Sequence, residues 1–284
     1  MLKLEAPPGF SFVRTVLSHG WCLLPPFRLG PEAAWLDFVV ADGRGGAVSA
    51  RVYPDLRVTP ARPATLRAAA RILALDVDVA PLHARVAADP DLAWIATCGA
   101  GRLLRAPTMW EDLVKLVLTT NCSWSLTVKM TEALVTHWGD AAPDGRRAFP
   151  TPERLARVPE SALRARGRLG YRAPYVRALA RKVAGGEVDL ERLDRKQMLD
   201  LPGVGPYVAD NLLKFLGRPQ GLGLDSWMRA KYARLHHGGR RVSDRTMARR
   251  YRHLDVWAGI ALWLTLTRDW FEGEAPSRAW TTLT

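Results

Sequence analysis

The residues best suited to chemistry lie between Met198 and Met228. In Leu201-Pro202-Gly203-Val204-Gly205-Pro206, a short helix ends near Asp200, two glycines permit a tight turn, and Pro206 suits the first position of a second helix. The pattern is a helix-hairpin-helix. Without Cβ atoms on the glycines, a phosphate can approach the backbone amides of Gly203, Gly205 and Val208, helped by the positive end of the second helix. Such contacts hold a nucleic acid in register without reading its sequence. The competing reading is a plain helical hairpin whose glycines serve only packing. Further on, Gly221-Leu222-Gly223-Leu224 leads into Asp225, just ahead of Ser226-Trp227-Met228. A carboxylate there is expected to be partly buried at a helix N-terminus, where its ionised form is favoured. It can then stabilise positive charge developing on a bound group. It can equally serve as the cap of the helix starting near Ser226.

Composition agrees with a polyanionic partner. The 284 residues include 41 lysines and arginines against 28 acids, a formal charge of +13, which favours nucleic acid although an arginine-rich proteome would also give it. Three cysteines, Cys22, Cys98 and Cys122, are too far apart for a metal pair, an iron-sulfur motif or a disulfide framework, and fit a reducing cytosol. The start of the chain has an acid and two prolines where a signal peptide needs an apolar stretch, and no apolar run is long enough for a membrane span. The expected location is therefore cytoplasmic, on the nucleoid if the source is bacterial, with a nuclear site left open.

The elements that must position these residues divide by period. Up to about residue 60 the pattern is short and β-like: Phe10 to Leu17, Trp35 to Val40 and Ala47 to Tyr53, separated by turn signals such as Asp42-Gly43-Arg44-Gly45-Gly46. From Pro63 onward amphipathic helical stretches follow, at Ala64 to Leu75, Trp110 to Leu118, Leu126 to Trp138, Tyr175 to Ala184, Tyr207 to Leu216 and Val256 to Thr267. The expected class is α+β: an N-terminal antiparallel β-sheet domain over 1–62 and an all-helical bundle over 63–284. The bundle can divide into two helical subdomains with the active site between them.

With the hairpin, the glycine-rich loop and Asp225 in place, the chain resembles the helix-hairpin-helix, Gly/Pro-rich loop, aspartate superfamily of DNA glycosylases. Upstream, Arg85-Val86-Ala87-Ala88-Asp89-Pro90-Asp91-Leu92, Gly101-Arg102-Leu103-Leu104-Arg105, Thr119-Thr120-Asn121 and Leu169-Gly170-Tyr171-Arg172-Ala173 are similar to 8-oxoguanine DNA glycosylase of the eukaryotic type. The β-rich start resembles the N-terminal domain shared with 3-methyladenine DNA glycosylase II. The resemblance implies that Asp225 stabilises the oxocarbenium-like transition state of N-glycosidic cleavage and orients the attacking water. It implies that Asn121 enters the gap left by the extruded base, Tyr171 wedges against the orphaned partner and Arg172 hydrogen-bonds it. It also implies a structural K⁺ or Na⁺ on the carbonyls of Leu199, Leu201 and Val204, with no organic cofactor.

Two positions depart from the family pattern. The lysine that forms a Schiff base in bifunctional relatives is replaced by Tyr207, which cannot form an imine. Lys214, seven residues on and about 10 Å away by helical rise, is too distant to substitute. An arginine used to recognise the opposite cytosine falls at Leu126, so strict opposite-base selection is not expected. The aromatic Tyr207 resembles 3-methyladenine DNA glycosylase II and can stack on a cationic alkylated base, or can simply pack in the hairpin core. Trp257 is assigned with Tyr207 to the base pocket, from a set that also holds Trp124, Trp263 and Trp270. The expected activity is monofunctional excision of a damaged purine from duplex DNA by a monomer without a membrane partner, alkylated purines ranking ahead of 8-oxoguanine. The alternatives are a glycosylase for uracil or another deaminated base, and a non-catalytic damage-sensing protein that would tolerate loss of Asp225.

Overall fold

The computed structural model describes residues 3–272. Near the start, four strands form an antiparallel sheet in sequence order: β1 (Arg28–Leu29), β2 (Leu36–Ala41), β3 (Ala47–Val52) and β4 (Val58–Thr59). Phe38 pairs with Ala50 at the centre of β2 and β3. Asp42 closes their hairpin by accepting the amides of Arg44 and Gly46 at 2.7 and 2.9 Å. Leu36, Phe38, Val52 and Val58 are buried with Ala68, Ala69 and Ile72 of helix α2 (Pro63–Ile72).

One stretch read as β is helical. Phe10 to Leu17 holds α1 (Phe12–Val16), which Ser11 caps by accepting the amide of Arg14. Phe12, Thr15 and Val16 are its buried residues, a spacing of three and four that belongs to a helix face. A 3₁₀ turn over Gly20–Leu23 follows.

Beyond α2 the chain is helical: α3 (Ala80–Val86), α4 (Trp94–Thr97), α5 (Met109–Leu118), α6 (Trp124–Trp138), α7 (Pro152–Arg157), α8 (Glu160–Ala165) and α9 (Ala173–Ala184). The remainder comprises α10 (Arg195–Leu199), α11 (Pro206–Phe215), α12 (Ser226–His237), α13 (Asp244–Arg250), α14 (Ala258–Leu266) and α15 (Asp269–Glu272). The expected helix from Val256 starts two residues late, because Asp255, at φ 54°, kinks the 3₁₀ segment Arg252–Trp257 that leads into it.

The apolar core does not part at residue 62. One cluster runs from Phe12 through the sheet and α2 to α5, α6, α9 and α11. The second joins Leu82 to Ala100 with Met228 to Leu266. The segment around 140–148 also reaches back over the sheet, where Ser49 Oγ donates to Asp144 at 2.8 Å and Arg146 donates to the Pro26 carbonyl at 2.9 Å.

Helix α5 lies at the middle and is buried on every side, charged residues included. Burying a charge is tolerated when it is paired. Lys115 donates to Glu111 at 2.6 Å. Asp112 accepts the indole N–H of Trp21 at 2.9 Å, the amide of Ala106 at 2.8 Å and Arg71 Nη1 at 3.0 Å. This carboxylate therefore fixes the N-terminal segment against α2 and α5, and Trp21 becomes one wall of the site.

Candidate active site

The hairpin forms between α10 and α11. Asp194 and Gln197 cap α10 reciprocally. Gly203 has φ 74°, and a Cβ there would stand 2.8 Å from Tyr175, so both backbone and packing demand glycine. Gly205 is the N-cap of α11, with φ −99° and open space where a Cβ would point. Its amide is thus approachable from outside. Val208 lies in the first turn with its side chain buried. Leu199 ends α10, and the Leu201 carbonyl already accepts the amide of Val204 at 3.1 Å.

Helix α11 also holds the glycine-rich loop. Asp210 accepts Arg195 Nε at 2.7 Å and the amide of Gly223 at 3.2 Å. Asn211 Nδ2 donates to the carbonyls of Tyr207 and Gly223 at 2.8 and 3.1 Å. Lys214 Nζ donates to Asn211 Oδ1 at 3.0 Å and to the Leu222 carbonyl at 2.9 Å. Gly221 and Gly223 both have φ 63°, and any Cβ there would collide with Asp210 and Asn211. The loop is therefore sewn to the helix along its length and delivers Asp225 to a fixed place.

Asp225 caps a helix and faces a pocket. Its Oδ1 accepts the amide of Met228 at 2.7 Å, capping α12, while the carboxylate lines a pocket of about 290 Å³. Burial raises its pKa, against the Met228 amide, Arg229 and Lys214, which lower it. Tyr207 lines the same pocket, its hydroxyl 3.2 Å from Thr119 Oγ1. Burial, and secondarily Asp225, push the Tyr207 phenol pKa up, so it stays neutral.

The remaining walls are largely aromatic: Trp21, Trp124, Phe215, Trp227, Trp263 and Trp270. Trp227, Trp263 and Trp270 lie with ring centres 5.6 to 5.8 Å apart, and Trp263 Nε1 donates to the Ser18 carbonyl at 2.8 Å. Three tryptophans of the sequence-derived set, Trp124, Trp263 and Trp270, thus reach the pocket. Trp257 does not: it sits in the 3₁₀ turn before α14 and is buried in the second core cluster.

Lys214 is nearer the site than its rise along the helix suggests. Seven residues make nearly two full turns, so Lys214 shares the helix face of Tyr207 and lines the same pocket as Asp225. Burial draws its pKa down to about 8, against the pull of Asp210 and Asp225. His19 is a further wall residue that the sequence did not single out. Its Nε2 lies 2.7 Å from the Leu104 carbonyl, its ring faces Phe215 at 5.2 Å, and burial lowers its pKa to about 3. Nothing near Ser18-His19-Gly20-Trp21 in the sequence announces a partner so distant in the chain.

Of the residues assigned to the distorted duplex, Asn121 and Tyr171 are exposed and adjacent, with Asn121 Nδ2 3.4 Å from the tyrosine hydroxyl. Arg172 is buried instead. Its guanidinium donates to the Thr120 carbonyl and lies 4.4 Å over the Tyr171 ring, so it braces these two residues from behind rather than facing a base. On the far side of the hairpin, exposed Arg229 and Arg245 flank a shallow groove that includes Pro206 and Tyr207.

A tight glycine hairpin, a carboxylate at a helix start and an aromatic pocket between two helical cores define a base-excising helix-hairpin-helix protein. Residues 114–254 match the model of the HhH-GPD superfamily base excision DNA repair proteins, and the chain belongs to that superfamily of DNA glycosylases. A probable N-glycosylase/DNA lyase of Methanothermobacter thermautotrophicus is 28% identical over 284 aligned residues, spanning 86% of this chain and 88% of the relative. A DNA-3-methyladenine glycosylase of Bacillus subtilis is 27% identical over 150 residues, spanning 49% of this chain and 50% of the relative. Among solved structures, the 3-methyladenine DNA-glycosylase of Archaeoglobus fulgidus superposes with a TM-score of 0.74 at 19% identity, covering 96% of this chain and 99% of that one. MBOgg1 in complex with a low affinity DNA ligand gives 0.71 at 23% identity, with 94% of each chain covered. These superpositions show the shared fold. No helix among the described residues is long and apolar enough to cross a membrane.

Proposed function

We propose that the protein is a monofunctional DNA glycosylase that hydrolyses the N-glycosidic bond of a damaged base turned out of duplex DNA. The observation that carries this reading is the half-buried carboxylate of Asp225 on the wall of an aromatic pocket of about 290 Å³, near the size range of small-ligand sites. As the glycosidic bond breaks, its electron pair leaves with the base and positive charge builds at C1′. Asp225 stabilises that charge. A water adds to C1′ and gives up a proton to Asp225 or to solvent, and a base that departed as an anion takes a proton from solvent, leaving a free base and an abasic site. The carboxylate acts in its ionised form, so the rate rises with pH through its raised pKa.

Tyr207 stands where bifunctional relatives carry the attacking amine, and a phenol forms no imine. Lys214, the amine that does share the pocket, is held by donating to Asn211 Oδ1 and the Leu222 carbonyl, so strand cleavage is not expected. The hairpin amides of Gly203, Gly205 and Val208 hold a phosphate, Asn121 and Tyr171 occupy the gap in the duplex, and a monovalent cation on the Leu199, Leu201 and Val204 carbonyls would brace the turn. The protein acts as a monomer in the compartment that holds the DNA.

The test is excision from end-labelled duplexes carrying alkylated, oxidised or deaminated bases, each product being run with and without hot alkali. Breaks that appear only after alkali, and vanish in Asp225→Asn while binding persists, support the reading. Breaks without alkali and a covalent complex trapped by borohydride would refute the monofunctional assignment. Tight binding to damaged duplex with no release of any base would identify a damage sensor.

A further inference from the structure

The lesion class can be taken further, on the premise that the pocket is a glycosylase site. Two pocket residues keep hydrogen-bonding capacity although more than nine-tenths buried: His19, 7% exposed, and Lys214, 4% exposed. A carbonyl can only accept, so the 2.7 Å contact to Leu104 makes Nε2 of His19 the N–H donor. Nδ1 is then an acceptor, and no described residue donates to it. Two N–H groups of Lys214 are taken, by Asn211 Oδ1 and the Leu222 carbonyl, which leaves a third. The two groups line the same pocket, close enough for the Lys214 charge to act on the His19 imidazole.

We infer that Lys214 and His19 together read a lactam edge, a ring carbonyl beside a ring N–H, so the pocket takes neutral oxidised or deaminated bases and rejects cationic N-alkylated ones. The ammonium donates to the carbonyl, and imidazole Nδ1 accepts the neighbouring N–H. A cationic base would instead bring a second positive charge beside a buried ammonium, and an alkylated edge would leave both groups unpaired. Sites built to hydrogen-bond a group discriminate strongly against analogues that lack it. The order of lesions suggested by Tyr207 alone is thereby reversed. The aromatic walls stack on any base, whereas these two side chains distinguish one edge from another.

The five pocket tryptophans offer a readout that needs no catalysis. Quenching of their fluorescence is followed at pH 7 during titration with 2′-deoxyinosine, 8-oxo-2′-deoxyguanosine and the cationic 1-methyl-2′-deoxyadenosine. The full chain is expected to bind at least one lactam nucleoside roughly ten- to a hundredfold more tightly than the cation. In Lys214→Met that ratio is expected to fall by at least tenfold. His19→Phe keeps the ring against Phe215, removes the acceptor and is expected to lose part of the ratio, which provides an independent check should the lysine variant misfold. Equal or tighter binding of the cation, or an unchanged ratio in a folded variant, would overturn the inference. Excision is scored separately on duplexes. Selective nucleoside binding with no base release would refute the glycosylase reading alone, and excision without selective binding would refute the edge reading alone.

Discussion

Asp225 caps a helix and faces the pocket, and one pair of substitutions separates the two roles. Asparagine accepts the Met228 amide as aspartate does, so Asp225→Asn keeps the 2.7 Å cap, while Asp225→Ala loses it at about 1 kcal/mol. The asparagine variant also sheds a carboxylate whose pKa burial raises. A raised carboxyl pKa means the folded state holds a proton that the unfolded chain releases, so this group's contribution to stability falls as pH rises through the window above its ordinary value. At neutral pH, Asp225→Asn should therefore unfold at a temperature equal to or above that of the unaltered chain. Catalysis responds oppositely. A carboxylate about 4 Å from a unit positive charge, at an effective dielectric constant near 20, contributes about 4 kcal/mol, which corresponds to roughly a thousandfold in rate. Thermal unfolding and single-turnover excision on the same preparations provide the assay. Asp225→Asn within tenfold of full activity would refute the electrostatic role. Activity that falls only in step with thermal stability across both variants would reduce Asp225 to a cap.

Lys214→Met should alter the pH dependence of stability: a lysine pKa lowered from 10.5 to about 8 makes the unaltered chain gain up to about 3 kcal/mol between those pH values, and parallel denaturant-unfolding curves for the two proteins would show the ammonium is not confined. Tyr207→Lys should introduce a product trappable by borohydride and strand breaks without alkali, read on a denaturing gel; their absence would show that residue 207 does not reach C1′. Gly203→Ala should cost about 1 to 3 kcal/mol by denaturant unfolding, because it forces a side chain into φ 74° against Tyr175. Gly205→Ala should stay within about 1 kcal/mol of the unaltered stability, yet weaken DNA binding, since its new methyl group enters open space on the proposed phosphate path.

The hairpin and the carboxylate were legible because their requirements are local. A turn with φ 74° selects glycine, Pro206 opens a helix, and Asp225 is followed at once by the helix it caps. The helices were legible to within a few residues where one face is buried, as in α6 and α9. What failed was three-dimensional. Distance along the helix sets Lys214 apart from Tyr207, although two turns return it to the same face and the pocket runs along that face. Trp257 and Trp263 belong to one stretch of sequence, but six residues put them about 120° apart around a helix, so Trp263 lines the pocket while Trp257 is buried in the second core. Arg172 has the composition of a surface residue, and only its bond to the Thr120 carbonyl reveals that it is folded under the loop. His19 and Trp21 enter the site through Leu104 and Asp112, partners that no short-range pattern encodes. Phe10 to Leu17 has the composition of a strand, and only the cap formed by Ser11 marks it as a helix.

Helix α11 has a consequence for how such a site can diversify. Its first turn offers the proposed grip on the backbone of the nucleic acid, and Asp210, Asn211 and Lys214 along its length clamp the loop that ends at Asp225. One rod of ten residues therefore works as a gauge block, setting the spacing between the proposed phosphate grip and the carboxylate. Besides Tyr207, Lys214 and Phe215 of α11 itself, the proposed base chamber is furnished by other segments, around residues 19–21, 103, 124, 227 and 263. Those furnishings can be exchanged one at a time to suit a new guest without recalibrating the cutter.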